Sequence, residues 1–419
     1  MSSNGYIAHP EGVEAAPEVR SPGHDLEIGG NADAESQAAG LAPTGPAPTG
    51  PAPAMPAGPI GALKRLVPHG IRQRLIPPLG HLRAQYGPRP LSAPRSYFRQ
   101  SAPEPAPTIS IVVPSLNTGL YLSATLDSIL DQRYPALDLI VRDGGSDDNT
   151  PHILHRERER LTEVNAGPDE GQAEAINEGL NDAGGEILAW INADDMLLPG
   201  ALARVSRYFV ANPDVDVVYG NRVLLDEQGQ DVGLWVTPPH SPDSLQWFDF
   251  IPQETVFWRR SIWERVGGID SSYTYGFDWD LFLRFHAAEA RIVRLPRFLG
   301  AFRQHEGQKT RRCYEDAQAE LEAIRHRFHG RAVSIEEAQA RSEKVLIRAA
   351  PHHIYQRLAW HSGRSVPVEA GPYSEADARG AEPRSTATGS PASGAATGAA
   401  AAAGGGNGHG GNGAAADSD

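Results

Sequence analysis

Cysteine is almost missing from this chain: Cys313 is the one example in 419 residues. That excludes an internal disulfide framework and any multi-cysteine metal site, and it suits a reducing compartment, so the expected location is cytoplasmic. Nothing around Cys313 would lower a thiol pKa, so it reads as a passive thiol. Positive charge is also short: 38 Lys and Arg against 52 Asp and Glu leave a net charge of −14, which argues against a general nucleic-acid binder. No run of about 18 apolar residues exists, so no spanning helix is expected, and the Met1 end lacks the basic-then-apolar layout of a signal peptide. Familiar catalytic signatures are missing too. The first regular strand is followed by Pro114-Ser-Leu-Asn-Thr-Gly119, neither a dinucleotide fingerprint nor a phosphate-cradling loop. No His-Glu-x-x-His pair and no Gly-x-Ser-x-Gly elbow occurs.

What is abundant is Gly (44) and Pro (35), concentrated towards the ends. Residues 1–58 carry few large apolar side chains and end in Ala-Pro-Thr-Gly-Pro repeats, so they are expected to be disordered. Residues 59–105 form a basic amphipathic arm in which Lys64, Arg65, Arg72 and Arg74 are interleaved with Leu63, Leu66, Ile71 and Leu75. Such an arm either packs on the neighbouring domain with its charges solvated or, through residues 61–100, lies as a peripheral contact on the inner face of an anionic membrane. Residues 366–419 are mostly Ala, Gly and Ser and are expected to be a disordered tail.

Between these ends the hydrophobic pattern is regular. Ile109 to Pro114, Leu137 to Arg142 and Ile187 to Ile191 read as buried strands, and they alternate with helical patterns over 120–130, 150–160, 170–180 and 201–210. Strand–helix alternation implies an α/β fold with a mostly parallel central sheet and crossover helices. Further strands are expected over 215–219, 255–258 and 291–303, a hairpin over 222–235 turning at Gln228-Gly229, and a helix over 278–288. Helices over 314–328 and from Ile335 to Ala349, opened by the capping box Ser334-Ile-Glu-Glu337, make a helical extension over 313–365. Trp247, Trp258, Trp263 and Trp279 are expected in the core.

Acidic residues end successive strands: Asp143, then Asp169 and Glu170, then Asp194 and Asp195, with Asp278 and Asp280 later. Carboxylates gathered at the C-terminal rim of an open sheet repel one another unless a cation compensates, so Mg²⁺ or Mn²⁺ with a phosphate-bearing substrate is the favoured reading. The plainer alternative is that Asp194 and Asp195 cap the following helix.

Five segments in order carry a resemblance. Ile111-Val-Val-Pro-Ser-Leu-Asn117, Val141-Arg-Asp-Gly-Gly-Ser-Asp-Asp148, Asp169-Glu-Gly-Gln-Ala-Glu-Ala-Ile-Asn-Glu-Gly179, Asn192-Ala-Asp-Asp195 and Phe277-Asp-Trp-Asp-Leu281 resemble the motifs of glycosyltransferase family 2. The resemblance covers about residues 108–310 and implies a GT-A fold that transfers sugar from a nucleotide-diphosphate donor to a saccharide or lipid-linked acceptor with inversion. It implies a glycosyltransferase domain over 106–312, with a nucleotide-binding half (108–193) and an acceptor half (194–312). Carried over residue by residue, it puts Pro114, Ser115, Asn117, Asp143, Gly171, Asn177, Asn192 and Asp194 around the nucleotide sugar. Asp194, Asp195 and His305 would hold Mn²⁺ or Mg²⁺, Gln253 and Lys309 would face acceptor or diphosphate, and Asp278 would be the general base. Two positions depart from the family pattern. Asn192 replaces an Asp, which weakens metal binding, and Phe277 replaces a Glu, an apolar neighbour that would raise the pKa of Asp278. The rivals are a sugar-phosphate nucleotidyltransferase, which would need an Arg in the 114–119 loop, and a non-catalytic nucleotide or sugar binder.

Overall fold

The computed structural model describes residues 84–308, 314–362 and 365–371. The expected disordered stretch 1–58, residues 59–83 of the basic arm, Lys309, Cys313 and residues 372–419 lie outside them. Two short strands come first, β1 (Arg89–Pro90) and β2 (Ser92–Pro94). The alternating unit then follows as β3 (Ile109–Ser115), α1 (Leu122–Leu130), β4 (Leu137–Asp143), α2 (Thr150–Glu157), β5 (Glu163–Ala166), α3 (Gln172–Asp182) and β6 (Ile187–Trp190). After it come β7 (Met196–Leu197), α4 (Ala201–Ala211), β8 (Val217–Leu225), β9 (Gln230–Trp235), α5 (Pro242–Leu245) and β10 (Phe257–Arg259). The described chain continues through α6 (Arg260–Val266), α7 (Phe277–Ala287), β11 (Ile292–Arg303), α8 (Tyr314–His329), α9 (Ile335–His361) and β12 (Ser365–Pro367).

Strands β6, β3, β4 and β5 are neighbours in that order and all parallel, which is the central sheet expected of an α/β glycosyltransferase fold. Antiparallel β10 bridges β6 to β8, and β11 runs parallel to β8. Every residue of β3 is buried, because helices cover both faces. Alternation along the strand divides the core: Ile111 and Val113 join Ile129 and Phe209 on one face, while Val112 joins Ile176 and Trp190 on the other. Gly179 lets α3 lie close to the sheet, since a Cβ there would come within 2.7 Å of Val112 Cγ2. The four tryptophans expected in the core are all buried.

Two boundaries differ from the sequence reading. The last helix does not stop at Ala349 but runs through Pro351 to His361, because Trp360 is buried and packs against Phe298 at 4.7 Å and Tyr97 at 5.4 Å. Tertiary packing outweighs the loss of one helical N–H. The Ala/Gly-rich tail does not begin at Val366: β12 pairs with β2, Val368 N donates to Leu91 O at 2.9 Å, and Ala370 is buried. Within the basic arm, residues 84–100 pack on the domain, with Leu91, Ala93 and Tyr97 buried, β1 paired to β9, and Arg89 bonded to Asp231.

Candidate active site

Sheet register sets the first wall of the site. At the C-terminal ends of the parallel strands, Ser115 lies opposite Asp143 and Asp143 opposite Ala166, while Ile191 N donates to Val112 O as the chain leaves β6 for Asn192. The loops after β3 and β4 lock together. Asn117, at φ 53, donates its N–H to Ser146 Oγ and accepts from Asp147 N at 2.9 Å, and Gly119 N donates to Asp148 Oδ2 at 2.8 Å. Asp143 is buried, and its carboxylate accepts from Ser146 N at 3.1 Å and from Ser146 Oγ at 2.5 Å. Pro114 is buried in the strand end, and Ser115 Oγ lies 2.7 Å from Thr118 Oγ1. A cavity of about 590 Å³ opens beside Asp143, lined by Asn165, Gly167, Pro168 and Asp169. Gly171, at φ 121, starts α3 at its edge, a backbone angle that favours glycine. Asn177 is placed differently from expectation. Its amide donates to Ile269 O and accepts from Ile269 N, so it clamps α3 to the segment before α7 and does not face the nucleotide loops.

The second wall is Asn192 to Asp195 with the end of β11. Asp194 and Asp195 do not cap the next helix, which starts at Ala201 with Gly200 as its N-cap. Nor is Asp195 free to ligate a metal. It is 1% exposed, and its two oxygens accept from Arg303 N at 3.1 Å and Asn192 Nδ2 at 3.3 Å. Burial, then Asp194 and Glu254, push its carboxyl well above the usual range. It braces the turn that presents Asp194. Asn192 completes the brace by accepting from Gln172 Nε2 at 2.9 Å, a bond an Asp there would also accept but without donating to Asp195. Asp194 itself is half-buried, with Oδ2 at 2.9 Å from His305 Nε2. The fully buried Arg303 donates Nε–H to Asp194 O at 3.1 Å and lies 4.9 Å over the Tyr121 ring, which stands 4.6 Å from His305. Among the described residues no group of three or more His, Cys, Asp or Glu side chains could hold a metal alone. Asp194 and His305 nevertheless fit a cation that takes its remaining ligands from a diphosphate, the usual mode for Mg²⁺ in phosphate-transfer sites.

The third group is acidic and was only partly visible in the sequence. Asp278 is in the first turn of α7, half-buried, and its Oδ1 accepts from Trp279 N at 2.8 Å. Burial pushes its carboxyl up to about 6. Phe277 is buried and its ring lies 6.0 Å from Trp190 at the end of β6, so α7 sits against the strand that leads to Asp194. Gln253, also buried, donates to Trp190 O at 2.8 Å, which turns it towards the sheet. Beside it Glu254 is 1% exposed and pairs with Arg222 at 2.6 Å. The Arg222 charge is felt by Asp195, Glu254 and Asp278 alike, and Asp249 is close enough to Asp278 for the two to repel. Arg222 is thus the resident countercharge of the acidic cluster. Nothing in its local sequence marks it, because only the antiparallel crossover of β8 brings it to Glu254. Arg222→Met would leave a buried carboxylate unpaired and is expected to cost about 3–5 kcal/mol of stability. Urea unfolding should show this, and adding Glu254→Met should restore most of the loss.

Residues 110–263 match the family described as glycosyl transferase family 2. The chain is 31% identical over 193 residues to a PGL/p-HBAD biosynthesis glycosyltransferase of Mycobacterium bovis, covering 45% of this chain and 73% of that one. It is 32% identical over 193 residues to the O-antigen biosynthesis protein RfbC of Myxococcus xanthus, covering 44% of this chain and 15% of that one. Among solved structures it is similar to S. aureus TarS 1–349 in complex with UDP-GlcNAc, with TM-score 0.45 and 19% identity over 59% of this chain and 73% of that one. It is also similar to the mannosyltransferase PcManGT of Pyrobaculum calidifontis in complex with GDP-Man and Mn²⁺, with TM-score 0.42 and 20% identity over 65% of this chain and 82% of that one. A glycosyltransferase is what the family match and the mycobacterial relative define. The chain belongs to glycosyltransferase family 2.

Proposed function

We propose that this enzyme transfers a sugar, with inversion, from a nucleotide diphosphate to a hydroxyl of a saccharide or lipid-linked saccharide. The donor proposed is a UDP-sugar and the task is surface polysaccharide or glycolipid assembly, in line with the biosynthetic roles that the relatives' names carry. The observation that carries the reading is a half-buried carboxylate with an elevated pKa, Asp278, packed by way of Phe277 and Trp190 against the strand that presents Asp194. Asp143 and Ser115 would receive the nucleotide at the strand ends, the carboxylate accepting from a base N–H. Asp194 and His305 would hold Mn²⁺ or Mg²⁺ against the diphosphate, where the cation supplies Lewis-acid stabilisation of the departing charge. Asp278 takes the proton from the acceptor hydroxyl as that oxygen attacks the anomeric carbon, and the bond to the phosphate oxygen breaks on the opposite side. Work at the cytoplasmic face of a membrane belongs to the same proposal, with the basic residues of 61–83 as a weak tether, since 84–100 pack on the domain.

The test is a thermal-shift screen of nucleoside diphosphates with and without Mn²⁺. Ligand at a hundred times its Kd stabilises by about 2.7 kcal/mol, so a metal-dependent rise in Tm with UDP and not with ADP is the expected result. No shift with any nucleotide would leave a binder of other ligands or an inactive relative.

A further inference from the structure

Helix α8 lies beyond residues 110–263, which the family description matches, yet it grips the helix that carries Asp278. Glu320, half-buried on α8, accepts three backbone N–H groups on one carboxylate: Thr274 N at 2.9 Å, Tyr275 N at 2.7 Å and Gly276 N at 3.1 Å. These residues run directly into the first turn of α7, whose N-cap, Gly276, has no side chain with which to cap it. A helix start leaves N–H groups unsatisfied and favours an anion nearby. Here the anion comes from 44 residues along the chain. The side chains of Leu321 and Ile324 on α8 lie close beside Gly276 as well. Two turns further along the same face of α8, Arg327 pairs with the buried Asp280 and lies 3.4 Å from Asp270. Asp280 is therefore held by α8 and by Arg284 at 2.8 Å, while the Asp278 carboxylate in the same turn accepts from Trp279 N.

We infer that Glu320 is a positioning residue for sugar transfer, setting the 274–276 segment and through it the place of Asp278. The inference rests on Asp278 being the general base. Loosening the first turn of α7 displaces the base from the acceptor oxygen, which affects kcat and not donor binding, because the donor sits on other strands. It also admits water to Asp278, which returns its titration towards the ordinary carboxylate range.

The experiment compares Glu320→Ala, Glu320→Gln, the exposed neighbour Glu322→Ala as control, and Asp278→Asn, each as the full chain. The donor carries the nucleotide selected by the screen above, with UDP-glucose as first probe. Glu320→Ala is expected to lower kcat about tenfold or more with donor KM within about twofold. The acid limb of its pH profile should move down from near 6, Glu320→Gln should recover part of kcat, and Glu322→Ala should match wild type. Wild-type kcat and an unmoved limb in Glu320→Ala would overturn the inference, as would a kcat loss matched by the unfolded fraction. Should Glu320→Ala fail to fold, Glu320→Gln carries the test: a wild-type kcat and limb there overturns it, and a lowered kcat with a shifted limb supports it. Full activity in Asp278→Asn would instead remove the assignment of the base, whatever the Glu320 variants do.

Discussion

Asp278→Asn is expected to lower kcat by about 10³, with donor binding little changed. General-base catalysis contributes about 10²–10⁴, and an amide cannot accept the acceptor's proton. The wild-type profile carries the second half of the expectation. Asp278 works as the carboxylate, burial pushes its pKa up to about 6, and so kcat/KM should fall below pH 6 with unit slope. The stability profile should run the other way. A carboxyl whose folded pKa lies above its unfolded value near 4 binds more protons in the folded state between the two, so stability is lost as pH rises through that window. Asp278→Asn should therefore be more stable than wild type at pH 8 and no more stable at pH 4. A melting series at the two pH values checks this, and an asparagine variant that gains nothing at pH 8 would mean that the Asp278 carboxyl is solvated and not buried.

Asp194→Ala should cost about a hundredfold or more in kcat/KM, because charge stabilisation on a departing diphosphate is worth several kcal/mol and each 1.36 kcal/mol is tenfold. It should also abolish the Mn²⁺ dependence of the UDP thermal shift. Asp195→Ala provides the contrast. Its carboxylate is occupied by Arg303 N and Asn192, so loss of stability, and not loss of metal response alone, is what that substitution should produce. If Asp194→Ala kept a metal-dependent shift of wild-type size, the cation would have to be held elsewhere.

Much of the site was legible in the sequence because its parts obey local rules. A strand that ends in Asp143 or in Asn192-Ala-Asp-Asp195 announces its own C-terminal rim by hydrophobic run and polar stop, and the parallel alternation places all such rims on one edge. Asp143 and Asp194 are therefore candidates from their strand ends, whereas Asp278 is a candidate through the family resemblance of Phe277-Asp-Trp-Asp-Leu281. The spacing of Asn177 in α3 is that of a motif residue, while the partner of its side chain depends on where Ile269 lies, 92 residues away. Asp194 and Asp195 look equivalent in sequence, and only the return of β11 shows that one of them receives Arg303.

The class of enzyme came from the resemblance of five motifs to a family; what the amino-acid order determined by pattern alone is the succession of buried strands and amphipathic helices and the acidic stops at the strand ends. These depend on periodicity and turn chemistry over a dozen residues or fewer, where neighbours in sequence are neighbours in space. Only the tertiary structure decided that Arg222 neutralises Glu254, that Glu320 holds the start of the Asp278 helix, and that the chain stays ordered past Val366 by pairing with β2. Each of these is a contact between segments far apart along the chain. Its energy comes from burying or pairing a charge, or from satisfying backbone donors and acceptors, and no local pattern encodes the distant partner.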